Sequence, residues 1–336
     1  MSSEQQVRES LDTVLLPGVL RSLVAMNLVR EIKVSGNAVN ISLASAALDD
    51  TAQEWVKGRA KSVLGSLPGV NDVDIEFVEV KPAELNRIKH VIAVMSGKGG
   101  VGKSLVSSLM AVLLKRQNHE VGILDADITG SSIARIFGII ARPSGSASGI
   151  LPVVSRSGVE LMSMNLLLPN EESPVIWRGP LLARAITQFW EDVLWGRLDY
   201  LIVDLPPGTS DAPLTVLQKV PVSGVVIVFT PQELTTMIVK KAVDMANKMD
   251  KPVIGVVENM SYLYVSEIDR KIELFGRSKG EEMAQAAQAP LLASLPVDPE
   301  LARMCDEGDI ERYDSDIMSK FGESLRQALS GSVEQT

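Results

Sequence analysis

The run VIAVMSGKGGVGKS at 91–104 constrains this chain more than any other feature. A short apolar stretch leads into a glycine-rich turn, and the turn leads into residues that read as a helix. The turn matches the pattern G-x-x-x-x-G-K-[ST] with Gly97, Gly102, Lys103 and Ser104. Each residue type has its own reason to be there. Gly99, Gly100 and Gly102 are expected to take positive φ and let the backbone approach a ligand closely. Successive N–H groups through Val101 then form an anion nest at the start of the following helix. Lys103 supplies a point charge for β- and γ-phosphates, and the Ser104 hydroxyl is a hard oxygen suited to Mg2+. The spacing predicts ATP and Mg2+ as ligands of the segment Gly97–Ser104.

The rest of the chain from residue 90 to 336 agrees with that loop. Short apolar runs alternate with helical patterns: VGILDAD, LDYLIVDLP, SGVVIVFTP, PVIGVVENM and APLLASLPV. Strands apolar on both faces belong to a sheet covered by helices on each side. The fold class is therefore α/β, a doubly wound and mostly parallel sheet of the P-loop NTPase type. Such sheets bind ligands at the carboxyl ends of their strands. Asp204 ends one run and is the expected carboxylate that orients Mg2+. The turn Pro206-Pro207-Gly208 follows it, where a γ-phosphate sensor loop would sit. Asp125 and Asp127 end another run, as magnesium shell or as the group that orients attacking water.

Residues 1–80 read as a small separate α/β domain. Val39, Ile41 and Leu43 share one face at period two, as do Val73, Ile75 and Phe77. A helix pattern runs through Trp55, Val56, Ala60, Val63 and Leu64, and another opens the chain up to Leu16. Residues 81–89 are charged, contain Pro82 and read as a linker. RPSGSASG at 142–149 reads as a flexible loop. Near the C-terminus, Ile317, Phe321, Leu325 and Ala328 form one helical face, expected to dock on its own domain rather than on a membrane.

Two domains suit 336 residues. A formal net charge of −9 argues against non-specific nucleic-acid binding. One cysteine, Cys305, permits no disulfide within the chain. No signal peptide is read at MSSEQQVRES, and no apolar run reaches the roughly 20 residues of a membrane span. The expected location is cytoplasmic.

Lys98 gives the loop the form KGGVGKS, a deviant Walker A pattern that resembles the MinD/ParA/ArsA group of ATPases. The resemblance implies a homodimer across the nucleotide, with Lys98 reaching the other subunit's phosphates. The order of MSGKGGVGKS, LDADITGSS, VIWRGPLL, WGRLDYLIVDLPPGTSDAPLT, TPQE, VENMS and PVDPELA narrows the likeness to the Mrp/ApbC family. The N-terminal part is similar to the MIP18-like (DUF59) domain that many members carry. That family implies iron–sulfur cluster carriers that hydrolyse ATP to ADP and phosphate, slowly without a partner. It also implies Asn259 as the adenine-recognising residue, and iron–sulfur apo-proteins or assembly factors as partners.

The chain departs from the family at its metal ligands. A C-x-x-C pair usually follows ENMSY and holds a 4Fe-4S cluster between two subunits. Here those positions are Val265 and Ile268, and neither ligates iron. The only histidines, His90 and His119, are far away in sequence, and Cys305 reads as a small core thiol. The N-terminal stretch ISLASAALDD also lacks the family's usual cysteine. Ser210 stands where glycine is usual, and Ser131 where proline is usual. The expectation is an ATPase of iron–sulfur assembly or transfer without the family's own ligands. Its rivals are a ParA/MinD-like dimerising switch acting on another protein, and a regulatory nucleotide-binding subunit.

Overall fold

The computed structural model describes residues 3–127, 130–167, 179–209, 211–232 and 235–333. Contacts divide the chain into two units, one of residues 1–89, 141–154 and 188–198, the other of 90–140, 155–187 and 199–336.

The smaller unit opens with helix α1 (Glu4–Leu11). Ser3 Oγ accepts from Gln6 N while the Gln6 side chain accepts from Ser3 N, a reciprocal cap. The helix stops at Leu11 rather than Leu16, because the next residues bond elsewhere: Leu15 bridges to Ser22, and Leu16 N donates to Arg21 O. Strands β1 (Val29–Ser35), β2 (Ala38–Ala44) and β3 (Asp72–Val78) form a sheet in that order, antiparallel and then parallel. The parallel step is bridged by helix α2 (Asp50–Leu64), which Asp49 caps. The period-two expectation holds: Val39, Ile41, Leu43 and Ile75 are buried. Helix α2 packs Val56, Ala60 and Leu64 into the same core and leaves Trp55 half-exposed.

Residues 81–89 hold a helical turn (Pro82–Leu85) and the start of a strand. The Asn86 side-chain Oδ1 accepts from Trp195 N and Gly196 N. The stretch 142–149, expected as a loop, contains most of a small hairpin: Gly145–Ser146 pairs antiparallel with Gly149–Ile150. Glycine permits the close approach, since a Cβ on Gly145 would strike Gly149 O and Ile150 Cα.

The larger unit alternates strands and helices. Those that frame the sheet and its site include β4 (Arg87–Met95), α3 (Lys103–Arg116), β5 (Val121–Asp125), β6 (Glu160–Ser163), β7 (Arg197–Asp204), α4 (Asp211–Lys219), β8 (Gly224–Phe229) and α5 (Thr235–Lys248). There follow β9 (Val253–Glu258), β10 (Leu263–Val265), β11 (Arg270–Ile272), α6 (Gly280–Ala287), β12 (Leu291–Ser294), α7 (Pro299–Glu307) and α8 (Asp316–Val333). The strand order is β12-β9-β8-β4-β7-β5-β6, with parallel pairing at β12–β9, β9–β8, β8–β4, β7–β5 and β5–β6. All of β8 and the second half of β4 are buried, as a sheet covered on both faces requires. The chain winds outward in opposite directions from β4. The crevice beyond its carboxyl end is therefore the topological switch point where such sheets bind ligands.

Helix α8 packs against β12, β9 and α3. Its buried stripe is Met318, Phe321, Leu325 and Leu329. The expected face had the right period but was slightly misphased, since Ile317 and Ala328 are only half-buried. Among the described residues, no helix is long and apolar enough to cross a membrane.

Candidate phosphate-binding site

The loop between β4 and α3 lies at that switch point. Gly100 and Gly102 take φ of 77° and 79°, which L side chains rarely adopt. Gly99 is not among the positive-φ residues, so the conformation expected of it is not taken. It is exposed on the loop, where small size suffices. Two other constraints replace it. A Cβ on Gly97 would collide with Ile238, and a Cβ on Gly102 would collide with the Asn259 amide. Gly102 is also the N-cap of α3 and has no side chain to offer as a cap. The first-turn amides therefore have no side-chain cap and are free to bond an anion. A cavity of about 410 Å³ opens there, lined by the loop, Asp127 and Pro207 among others.

Three carboxylates converge behind the loop. The register of β7 on β5 places Asp204 beside Asp125. Asp125 and Asp204 are fully buried, and Asp127 is nearly so. Burial first, and the Asp204 carboxylate second, push the Asp125 carboxyl up to about 7. Lys103 is 5% exposed, and its Nζ lies 2.8 Å from Asp204 Oδ2 and 3.8 Å from Asp127 Oδ2. Neither approach has hydrogen-bond geometry, so the ammonium is buried next to charge but without a directed acceptor. Asp204 is otherwise well held. Ser104 Oγ donates to Oδ2 and Ser107 Oγ to Oδ1, both at 2.6 Å. The sequence reading missed Ser107, although it lies one helical turn beyond Ser104 on α3.

Ser131, where proline is usual, donates through Oγ to Asp127 O at 3.0 Å and shares a contact with Ser163 Oγ. Ser163 Oγ also reaches Asp125 Oδ2 at 3.3 Å. The Pro206-Pro207-Gly208 turn is tied to β4, with Gly208 N donating to Ser96 O. Ser210, Glu233 of TPQE, and Trp177 and Arg178 of VIWRGPLL lie outside the described residues.

The structure places Asn259 under the loop. It is 2% exposed, and its Nδ2 donates to Val101 O at 2.9 Å. Its neighbour Glu258 is fully buried and accepts from Ser261 Oγ, Ser278 Oγ and Lys279 N at 2.6, 2.6 and 2.7 Å. Sequence reasoning found no role for this glutamate. Lys98 hydrogen-bonds the Gln232 side chain of its own chain.

Val265 and Ile268 fall on the β10–β11 hairpin, where Val265 pairs with Arg270 and Ile268 is exposed. They bring no thiolate. Cys305 is half-buried, and burial followed by the nearby Asp306 carboxylate pushes its thiol up to about 11. That is the opposite of what a ligating cysteine needs.

Residues 87–329 match the ParA family of NUBPL iron-transfer P-loop NTPases, and residues 4–77 match a family of iron–sulfur cluster assembly proteins. The chain is 36% identical to an iron–sulfur cluster carrier protein of Aquifex aeolicus over 98% of both chains. It is 40% identical to another of Deinococcus radiodurans, over 96% of this chain and 94% of that one. Among solved structures it is similar to a nucleotide-binding protein from Archaeoglobus fulgidus in complex with ADP. The identity is 43% and the TM-score 0.63, over 70% of this chain and 92% of that one. It shares its fold with MinD of Aquifex aeolicus at 19% identity and TM-score 0.52, over 72% of this chain and 97% of that one.

Proposed function

The chain belongs to the ParA family of NUBPL iron-transfer P-loop NTPases, and from that premise we propose an ATPase of iron–sulfur cluster assembly or transfer whose cluster ligands are not its own. The observation that carries the ATP half is Lys103, a buried ammonium between two carboxylates with no directed hydrogen bond, behind an uncapped glycine cradle. A polyanion in that cradle completes its coordination.

The roles follow from the geometry. Loop amides from Gly97 to Ser104 hold the phosphates, and Lys103 turns from Asp204 toward the β- and γ-oxygens. Ser104 and Asp204, hydrogen-bonded to each other, offer two adjacent hard oxygens of the kind magnesium takes. Bound there, the ion would neutralise charge on the phosphoryl oxygens. Asp127, nearly buried yet lining the cavity, is placed to orient the attacking water. Asn259 spends Nδ2 on the loop and keeps Oδ1 for the exocyclic amine of adenine. Lys98 leaves Gln232 to reach the phosphates of a second subunit, which makes the active form a homodimer.

The hairpin does not fit an iron–sulfur cluster. Val265 and Ile268 cannot bind iron, and the single cysteine is a poor thiolate. The cluster is therefore cargo held by a partner's ligands. Phosphate release from ATP should fall about 100-fold or more in Lys103→Ala. Anaerobic incubation with ferrous iron and sulfide should leave no band near about 400 nm, where thiolate–iron charge transfer absorbs. Undiminished hydrolysis in the variant would sink the ATPase reading. A stable chromophore on the chain alone would sink the claim about its ligands.

A further inference from the structure

Helix α3 buries two adjacent serines among apolar residues. Ser107 and Ser108 are fully buried, as are Val106 and Leu109 on either side of them. A buried hydroxyl is costly unless its proton finds an acceptor, and alanine would be the better helix former. Ser108 finds its acceptor within the helix, donating to Ser104 O at 2.8 Å. Ser107 has two acceptors in reach, Lys103 O at 3.1 Å and Asp204 Oδ1 at 2.6 Å. It carries one proton, and the shorter, charge-assisted bond holds it. The hydroxyl is therefore turned away from its own helix and toward the end of β7.

Among the described residues, three polar groups reach the Asp204 carboxylate: Lys103 Nζ and Ser104 Oγ at Oδ2, and Ser107 Oγ at Oδ1. They are not equivalent. Lys103 and Ser104 line the phosphate cavity, and each gains another partner when it fills, the phosphates for Lys103 and magnesium for Ser104. Ser107 lies outside that lining, so a ligand in the cavity does not compete for its hydroxyl. With the site loaded, Ser107 is the one of the three still committed to Asp204. That matters because the last torsion of a carboxylate side chain is broad and roughly twofold. A hydrogen bond on Oδ1 fixes the plane of the group, and with it the direction of Oδ2.

We propose that Ser107 is a positioning residue for the magnesium site. By holding Asp204 Oδ1 from behind, it keeps Oδ2 turned toward Ser104 after Lys103 has left. It touches neither ion nor nucleotide and acts only through Asp204. Groups that orient a metal's ligands commonly set the metal's affinity. The helix supplies the spacing: Ser104 and Ser107 lie three residues apart on one face of α3, so a single carboxylate spans both hydroxyls. The inference rests on the reading of Ser104 and Asp204 as magnesium oxygens, and the test separates the two.

Manganese stands in for magnesium, and free Mn2+ is read by electron paramagnetic resonance on the full-length chain saturated with ADP. Ser107→Ala should weaken Mn2+ binding about tenfold or more. ADP affinity in EDTA, measured by titration calorimetry, should stay unchanged, since Ser107 holds no phosphate. Ser107→Cys keeps the size but offers only a weak S–H donor, so it should behave as the alanine variant does. In an Asp204→Ala background, Ser107→Ala should have no further effect on Mn2+. Unchanged Mn2+ affinity in Ser107→Ala overturns the proposal, and so does an effect that persists without Asp204. Full recovery in Ser107→Cys overturns it too, because packing would then be the cause. So does an equal loss of ADP affinity in EDTA, which marks a general disturbance of the loop. If Asp204→Ala itself leaves Mn2+ affinity intact, the magnesium reading falls and the role of Ser107 falls with it.

Discussion

Asp125 shows how a fold changes a residue's chemistry without changing the residue. Its carboxyl is held up at about 7 by burial and by Asp204. In the unfolded chain the group returns to the ordinary value near 3.8. Between those two pH values the folded chain keeps a proton that the unfolded chain has released. Its contribution to stability therefore falls as pH rises through that window, and the full penalty is present above about 7. Asparagine removes the charge and keeps an oxygen for Asp127 N. In the nucleotide-free protein, Asp125→Asn should stabilise by a few kcal/mol at pH 8, with the gain shrinking toward pH 5. Thermal unfolding of both proteins across that range checks the sign. A second residue-scale test is Gly102→Ala, which asks for a side chain at φ 79° and drives it into the Asn259 amide. Titration calorimetry should show ATP affinity falling by tenfold or more while the fold survives, since the strain is about 1–2 kcal/mol. The glycine and lysine spacing announced the cradle because it depends on local backbone geometry. The titration of Asp125 was not legible, because its causes are burial in the folded sheet and, second, a strand register joining residues 79 apart in the chain. The contact between Asn259 and Val101 was hidden for the same reason.

At the scale of elements, Glu258 organises the excursion that leaves β9 and returns to α6. Its carboxylate takes hydrogen bonds from Ser261 at one end and from Ser278 and Lys279 at the other. The hairpin is thus clamped at its base by the residue immediately before the one that grips the phosphate loop. Glu258→Ala leaves the buried Ser261 hydroxyl and two less buried donors without that acceptor, and should cost about 1–3 kcal/mol. Hydrogen exchange should quicken across 259–279 and stay slow in β8. Helix α8 gives the complementary case, where pattern alone nearly sufficed. Its period of apolar residues was readable, but which neighbour of the stripe turns inward is decided by β12, β9 and α3. Phe321→Ala should cost about 3–5 kcal/mol, as for other buried aromatics, whereas Ile317→Ala should cost well under half of that. Chemical denaturation of the two variants separates the observed face from the one the sequence suggested.

At the scale of the whole molecule the question is how many chains make one active site. Lys98 sits on the exposed rim of the loop and is bonded to Gln232 of its own chain, while Lys103 is buried behind the same loop. Two lysines five residues apart thus face different ways, and only Lys103 is committed to its own pocket. That division makes complementation decisive. Lys98→Ala keeps a working cradle but has no reaching lysine. Lys103→Ala keeps the reaching lysine on a dead cradle. Each homodimer should be nearly inactive. In an equal mixture half the dimers are mixed, and one of the two sites in each is whole, so phosphate release should recover to roughly a quarter of wild type. If Lys98 instead served its own chain, the mixed dimer would contain no complete site and the mixture would stay as inactive as its components. Phosphate release measured against mixing ratio should peak at equal proportions, and a flat line would show that Lys98 acts within one subunit.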